Sequence, residues 1–163
     1  MADSVNPYQP PTAAVADAGD PTQPVRLFAV SGRIGRARYI AYGFGLYALV
    51  MFVAGIVAGA LGEPGVAVMT AAWLGLAVIG VMLTIQRCHD FNMSGWLSLL
   101  IILPIVNLIF LVIPGTDGAN RFGLPTPPNT AGVLIVAWLI PGIMIAGVIA
   151  AIAIPALQPY LQR

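Results

Sequence analysis

The side chains in this sequence that could do chemistry are few, and they gather in three places. Arg87-Cys88-His89-Asp90 sets a thiol, an imidazole and a carboxylate side by side, which are the groups of a nucleophile, a base and an orienting acid. Asn120-Arg121 supplies an amide and a guanidinium further on, and Arg33, Arg36 and Arg38 form a basic patch before the first apolar run. A working triad needs its groups to converge on one point. Adjacent residues on a helix diverge, whereas residues three or four apart are neighbours. The tetrad therefore reads as a polar helix end with Arg87 and Asp90 paired at i,i+3. Alternatively it is an ionic lock in which its charges pair with Arg36 or Arg38 of the preceding helix. A membrane enzyme using His89 and Asp90 is a third reading, and it requires both side chains to face a pocket with Arg121. The chain has no second His or Cys and only scattered acids, so neither a metal nor another cofactor is expected, and no enzymatic activity.

The elements that position these residues are apolar. Hydrophobic residues make up 59% of the chain and charged residues 8%, against about 25% charged in soluble domains. Such a chain is solvated by a bilayer, and the lipid bilayer is its first partner. Residues 1–25, rich in Pro, Ala, Asp and Thr, read as a disordered tail without the charged start and apolar core of a signal peptide. Apolar runs follow at about 39–61, 66–85, 96–113 and 133–154, and none contains a charged residue. The first is long enough to span a hydrocarbon core of about 30 Å. Gly62-Glu63-Pro64-Gly65 turns the chain into the second. The expected fold is an all-α membrane protein, a bundle of about four hydrophobic helical segments. It divides into the tail, a helical membrane domain over 26–130 and an additional C-terminal transmembrane helix over 131–163.

The third run is the ambiguous one. It is short and carries Pro104 and Asn107 near its middle, so it is either one kinked span or a re-entrant hairpin turning at Pro104-Ile105-Val106-Asn107. Arginine placement puts the N-terminus in the cytoplasm with Arg26, Arg33, Arg36, Arg38 and Arg87, but it does not decide the side of the C-terminus. A span leaves Arg121 outside. A re-entrant hairpin gathers Arg36, Arg87, His89, Asp90, Asn120 and Arg121 into one cytoplasmic polar cluster.

Two features read as packing chemistry. Gly55 and Gly59 form a GxxxG, and Ala67, Ala71 and Gly75 form a small-residue row on the next helix. Both suit close helix contact, within the monomer or in a homodimer. Ser94-Gly95-Trp96 reads as the start of the third helix: Ser94 as N-cap, Gly95 for unusual backbone angles, Trp96 for the interfacial belt.

Taken together, these motifs resemble a family of small bacterial inner-membrane proteins known as domain of unknown function 805. Its G-R-x-x-R element is matched by Gly32-Arg33-Ile34-Gly35-Arg36, its R-x-H-D by Arg87-Cys88-His89-Asp90, its S-G-W by Ser94-Gly95-Trp96 and its G-x-N-R-F-G by Gly118 to Gly123. The resemblance covers about Phe28 to Pro125. The chain departs from it at Cys88, where the family commonly has Leu, at Ile40, where it often has Trp, and at Leu124 directly before Pro125. The resemblance implies membrane location and a shared core fold, and no reaction. Beyond it, Gly147 to Ala156, with Gln158 and Tyr160, looks like the helical stem of type IV pilins, without the pilin processing signal.

The function expected on these grounds is that of a multi-pass protein of the bacterial inner (cytoplasmic) membrane with a structural, interaction or scaffold role. Its partner would be another membrane protein or further copies of itself. A small channel or transporter is the alternative, motivated by the broken third run. The spans hold none of the ionisable residues an ion-coupled transporter uses. A nucleic-acid partner is excluded by a net charge of only +1 and the absence of lysine.

Overall fold

The computed structural model describes residues 21–161, except for the side chains of residues 104–107, 140 and 159–161. Most of the tail expected to be disordered, residues 1–20, lies outside the described residues. Four α-helices and one 3-10 segment make up the described chain: α1 Arg36–Leu61, α2 Gly65–Asp90, a 3-10 segment Gly95–Ile102, α3 Pro104–Val112 and α4 Ala131–Leu161. Among the described residues the one β-type pairing is an isolated bridge between Asn120 and Gly123. Helices α1, α2 and α4 are long and apolar enough to cross a membrane. At 1.5 Å per residue the 26 residues of α1 extend about 39 Å, more than a hydrocarbon core requires.

Each helix end has a local cause. Gly62 closes α1 at φ 68°, its N–H donating to the Ala58 carbonyl at 3.2 Å. The following Gly65 lets α2 start against the Ala58 backbone, where a Cβ would overlap it. At the far end of α2, Asn92 takes the left-handed conformation (φ 60°), the amide of Met93 donates to the Cys88 carbonyl and that of Asn92 to the His89 carbonyl. That pair of bonds is a Schellman cap, and Asn tolerates the left-handed backbone better than other side-chained residues. The Arg87-Cys88-His89-Asp90 tetrad is thus the last turn of α2 itself, and the helix ends about five residues later than the apolar run suggests.

The third hydrophobic run does not form one helix. Its first half is 3-10, its second half α-helical, and the break falls at Leu103, immediately before Pro104. Proline disfavours helical backbone in the residue before it and suits the first position of a new helix. The halves extend about 16 Å and 13 Å, so neither can cross alone. Both ends of the run meet the same end of α2. A Cβ on Gly95 would lie 2.9 Å from Ile85 and 3.3 Å from His89, while the guanidinium of Arg87 donates to the carbonyls of Phe110 and Ile113. The run therefore returns to the end of α2 from which it set out, the geometry of the hairpin alternative. The backbone turns at Leu103-Pro104, slightly earlier than the expected turn through Asn107, and the Asn107 side chain lies outside the described ones.

Helix α4 begins at that same end. Arg38, in the first turn of α1, donates to the carbonyls of Pro127 and Pro128 at 2.6 and 2.7 Å, which holds the lead into α4 beside α1. Higher up, Val136 packs at Gly45. The helix continues through Pro141 and Pro155, past the expected end of the fourth run. The expected four segments are thus three long helices and one returning hairpin. A small core of Ile34, Tyr39, Leu83, Cys88 and Phe110 lies just inside the bundle end where the charged motifs meet. Above it the long helices expose most of their apolar surface, Phe52, Leu74 and Ile149 among it.

Candidate functional site

The polar cluster is built outward from Asp90. This carboxylate, 6% exposed at the end of α2, accepts from two arginines that are themselves buried: Arg33 at 2% and Arg87 at 0% exposure. Arg33 donates from Nε and Nη2 to Oδ1 at 3.3 and 3.2 Å, a bidentate grip on one oxygen. Arg87, three residues back on α2, donates from Nη1 to Oδ2. The i,i+3 pairing of Arg87 with Asp90 read from the sequence is present. The interhelical partner differs from the one expected: it is Arg33, in the segment leading into α1, and not Arg36 or Arg38. Arg33 reaches Asp90 because the backbone before α1 lies across the end of α2, the Ile34 amide donating to the Gln86 carbonyl at 3.2 Å.

Two cations and one anion leave this buried site with an excess positive charge, and backbone carbonyls compensate it. Arg33 also donates to the carbonyls of Thr116 at 2.6 Å and Gly118 at 2.7 Å, with a longer bond to Gly123 at 3.3 Å. Arg87 donates from Nε to the Phe110 carbonyl at 2.8 Å and from Nη2 to that of Ile113. These last acceptors are carbonyls freed where α3 ends, the negative end of its dipole, where cations are favoured. Exposed Arg36 adds a bond to the Val112 carbonyl at 3.4 Å. A buried ion pair gains little over an apolar replacement, but losing one partner strands a buried charge at a cost of about 3–5 kcal/mol. The site is therefore a clamp, in which each member is needed because the others are there.

The Gly118–Gly123 loop is docked onto the same helix end. Asn120 donates from Nδ2 to the His89 carbonyl and to the Thr116 hydroxyl, both at 2.8 Å, and its Oδ1 accepts from the Phe122 amide at 2.9 Å. The loop closes through reciprocal Asn120–Gly123 backbone bonds of 3.0 Å, with Gly123 at φ 123°, a conformation that excludes side-chained residues. The Phe122 ring stacks on the His89 imidazole at 3.9 Å, and the Arg121 guanidinium lies 4.7 Å from the Phe122 centroid. His89 faces the Gly32 carbonyl through Nδ1 at 3.1 Å, while Arg121 donates to the Asn92 carbonyl. His89 and Asp90 engage different partners, His89 the Gly32 carbonyl and the Phe122 ring, Asp90 the two buried arginines. Among the described residues, no three His, Cys, Asp or Glu side chains gather in a way that could hold a metal ion.

Three elements of the sequence motifs now have a geometry. Residues 27–124, more than half of the chain, match the model of the family described as "Protein of unknown function (DUF805)". The chain belongs to this family. The matched region begins just before the segment that carries Arg33 and ends just after the docked loop; α4 lies beyond it. No curated protein and no solved structure matches the chain.

Other residues singled out in the sequence behave differently. Ser94 caps the 3-10 segment rather than an α-helix, its Oγ 3.5 Å from the Trp96 amide. Gly95 has no left-handed backbone; it is required by close approach, since a Cβ there would press on Ile85. Trp96 is 78% exposed, as an interfacial ring would be. Among the described residues the small-residue rows meet no neighbouring helix: Gly55, Gly59 and Gly75 have open space where a Cβ would stand, and Ala67 and Ala71 are exposed. The α1–α2 contact instead uses Ala58 against Gly65. Gln86 and Thr116 were not foreseen. Buried Gln86 donates to the carbonyls of Arg26 and Ala29 and ties the chain before α1 down. Thr116 donates from both its amide and its hydroxyl to the Asp90 carbonyl. The signal for Gln86 was available: it is an uncharged polar residue in the helical turn that also holds Arg87 and Asp90.

Proposed function

We propose that this protein is a multi-pass component of the bacterial inner membrane, with its clamp end and N-terminus in the cytoplasm, and that it acts as a non-catalytic structural or interaction protein. The observation that carries the reading is the employment of the motif charges. Arg33 and Arg87 are buried and bonded to Asp90 and to backbone carbonyls, so their hydrogen-bonding capacity is used within the fold. The orientation is supported by charge: Arg26, Arg33, Arg36, Arg38, Arg87 and Arg121 lie at the clamp end, whereas the α1–α2 turn carries Glu63. The interaction role is supported by the uncovered small-residue rows on α1 and α2, which suit a helix of another membrane protein or of a second copy. Nucleic acid has no part in this reading.

The returning hairpin favours one other reading, a small channel, because broken segments line pores in channels and transporters. The two readings separate in one pair of measurements. Crosslinking in native membranes should capture a discrete partner or oligomer, and liposomes holding the purified protein should be no more permeable than empty ones. Solute flux without any crosslinked partner would replace the interaction reading with the channel.

A further inference from the structure

A groove of about 640 Å³ opens beside the clamp, between the first turns of α1 and α4 and the exit of α3. That volume is in the range of small-molecule sites, about 300–1,000 Å³. One side of the groove is apolar, formed by Ile40, Leu111, Leu134 and Trp138. Ile40 and Leu134 belong to helices long enough to span, so this wall is continuous with the lipid-facing surface. Trp138 is 79% exposed and leaves the wall open to lipid. The floor is the Arg33–Asp90 pair, whose groups are already bonded to each other, to Arg87 and to backbone carbonyls. Two charges at the groove remain uncommitted. Exposed Arg36 spends one donor on the long bond to the Val112 carbonyl, and exposed Asp117 makes no side-chain hydrogen bond or ion pair among the described residues.

An apolar wall reaching into the membrane, with one cation and one anion at its polar mouth, complements a molecule with the same order of groups. We propose that this groove binds a zwitterionic phospholipid with a primary amine, such as phosphatidylethanolamine. Arg36 meets the phosphate by charge-assisted hydrogen bonds, Asp117 meets the ammonium, and an acyl chain lies along Ile40, Leu134 and Trp138. An anionic lipid lacks the amine and brings its negative charge to Asp117, so the groove discriminates between the two.

The test uses the full chain, purified in detergent and offered phosphatidylethanolamine and phosphatidylglycerol in equal amounts, with bound lipid read by native mass spectrometry. The wild type should retain the former over the latter by about fivefold, the order of an exposed charge contact. Asp117→Asn should bring the two to near equality, and Arg36→Gln should weaken retention of both. Among the described residues Asp117 makes no side-chain hydrogen bond or ion pair, so its variant stays informative even if Arg36→Gln disturbs the α3 exit. Soluble phosphoethanolamine should compete poorly because it lacks the acyl chain. Equal retention by the wild type, a preference for phosphatidylglycerol, indifference to Asp117→Asn, or full displacement by the free headgroup would each overturn the proposal.

Discussion

Replacing Asp90 by Asn keeps the shape of the side chain and removes its charge. Arg33 and Arg87 then remain buried, at 2% and 0% exposure, without the carboxylate that both grip. The amide can accept from one guanidinium, but its NH2 group opposes the other. Stranding a buried charge costs about 3–5 kcal/mol, a large share of the roughly 5–15 kcal/mol that holds a typical domain together. Cys88 offers a direct readout. It is the only cysteine, it is fully buried, and it lies in the core beside the clamp, so a thiol reagent reaches it only when this end of the bundle opens. A loss of about 3 kcal/mol raises the open population by on the order of a hundredfold. In detergent micelles, Asp90→Asn should therefore speed Cys88 labelling by about that factor. Arg121→Gln, at an exposed site, should leave it within about twofold, as surface substitutions do. If Asp90→Asn labelled Cys88 at the wild-type rate, the carboxylate would not be holding the two arginines in place, and the clamp would be wrong.

Other expectations follow from the same contacts. Arg87→Lys keeps the charge but cannot reach Asp90 and the carbonyls of Phe110 and Ile113 together, so hydrogen exchange should rise across residues 104–113 while the middle of α1 stays protected. Gly65→Ala drives a methyl into the Ala58 backbone and should cost about 1–3 kcal/mol in a micelle-unfolding titration. Gly55→Leu meets open space and should leave that stability unchanged, while reducing any crosslinked oligomer or complex that uses this face. Gly115→Ala would press on the Asp90 carboxylate, and its Cys88 labelling should move in the direction of Asp90→Asn.

What could be read in advance divides along physical lines. Apolar length and the Gly62–Gly65 turn report on local solvation and backbone freedom, and they located α1 and α2 to within a few residues at most ends. The i,i+3 relation of Arg87 and Asp90 is also local, so it was legible. The partner of Asp90 from the preceding segment was not. It depends on how the chain before α1 crosses the end of α2, which is set by Gln86 and the Ile34 amide rather than by proximity in sequence. The hairpin was legible only as an alternative, because Pro104 breaks a span and a dip equally well. What brings the run back to the end of α2 is Arg87 binding the carbonyls at the end of α3, a contact 23 residues away in sequence. The small-residue rows left the choice between a neighbour within the chain and another copy open for a related reason: membrane helices carry many Gly and Ala, and spacing does not say which of them faces a neighbour within the chain.

The central claim is that the third hydrophobic segment returns to the side it left, so that all the charged motifs share one end of the bundle. Reporters fused after Arg163 and inserted in the loop after Asn129 test it directly, since one reads the far end of α4 and the other the clamp end. A cytoplasmic signal from the loop with an external signal from the C-terminus is the predicted result. A C-terminal reporter on the cytoplasmic side with the loop outside would mean that residues 96–113 cross the membrane, and the clamp joining Arg33, Arg87 and Asp90 to the Gly118–Gly123 loop could not form.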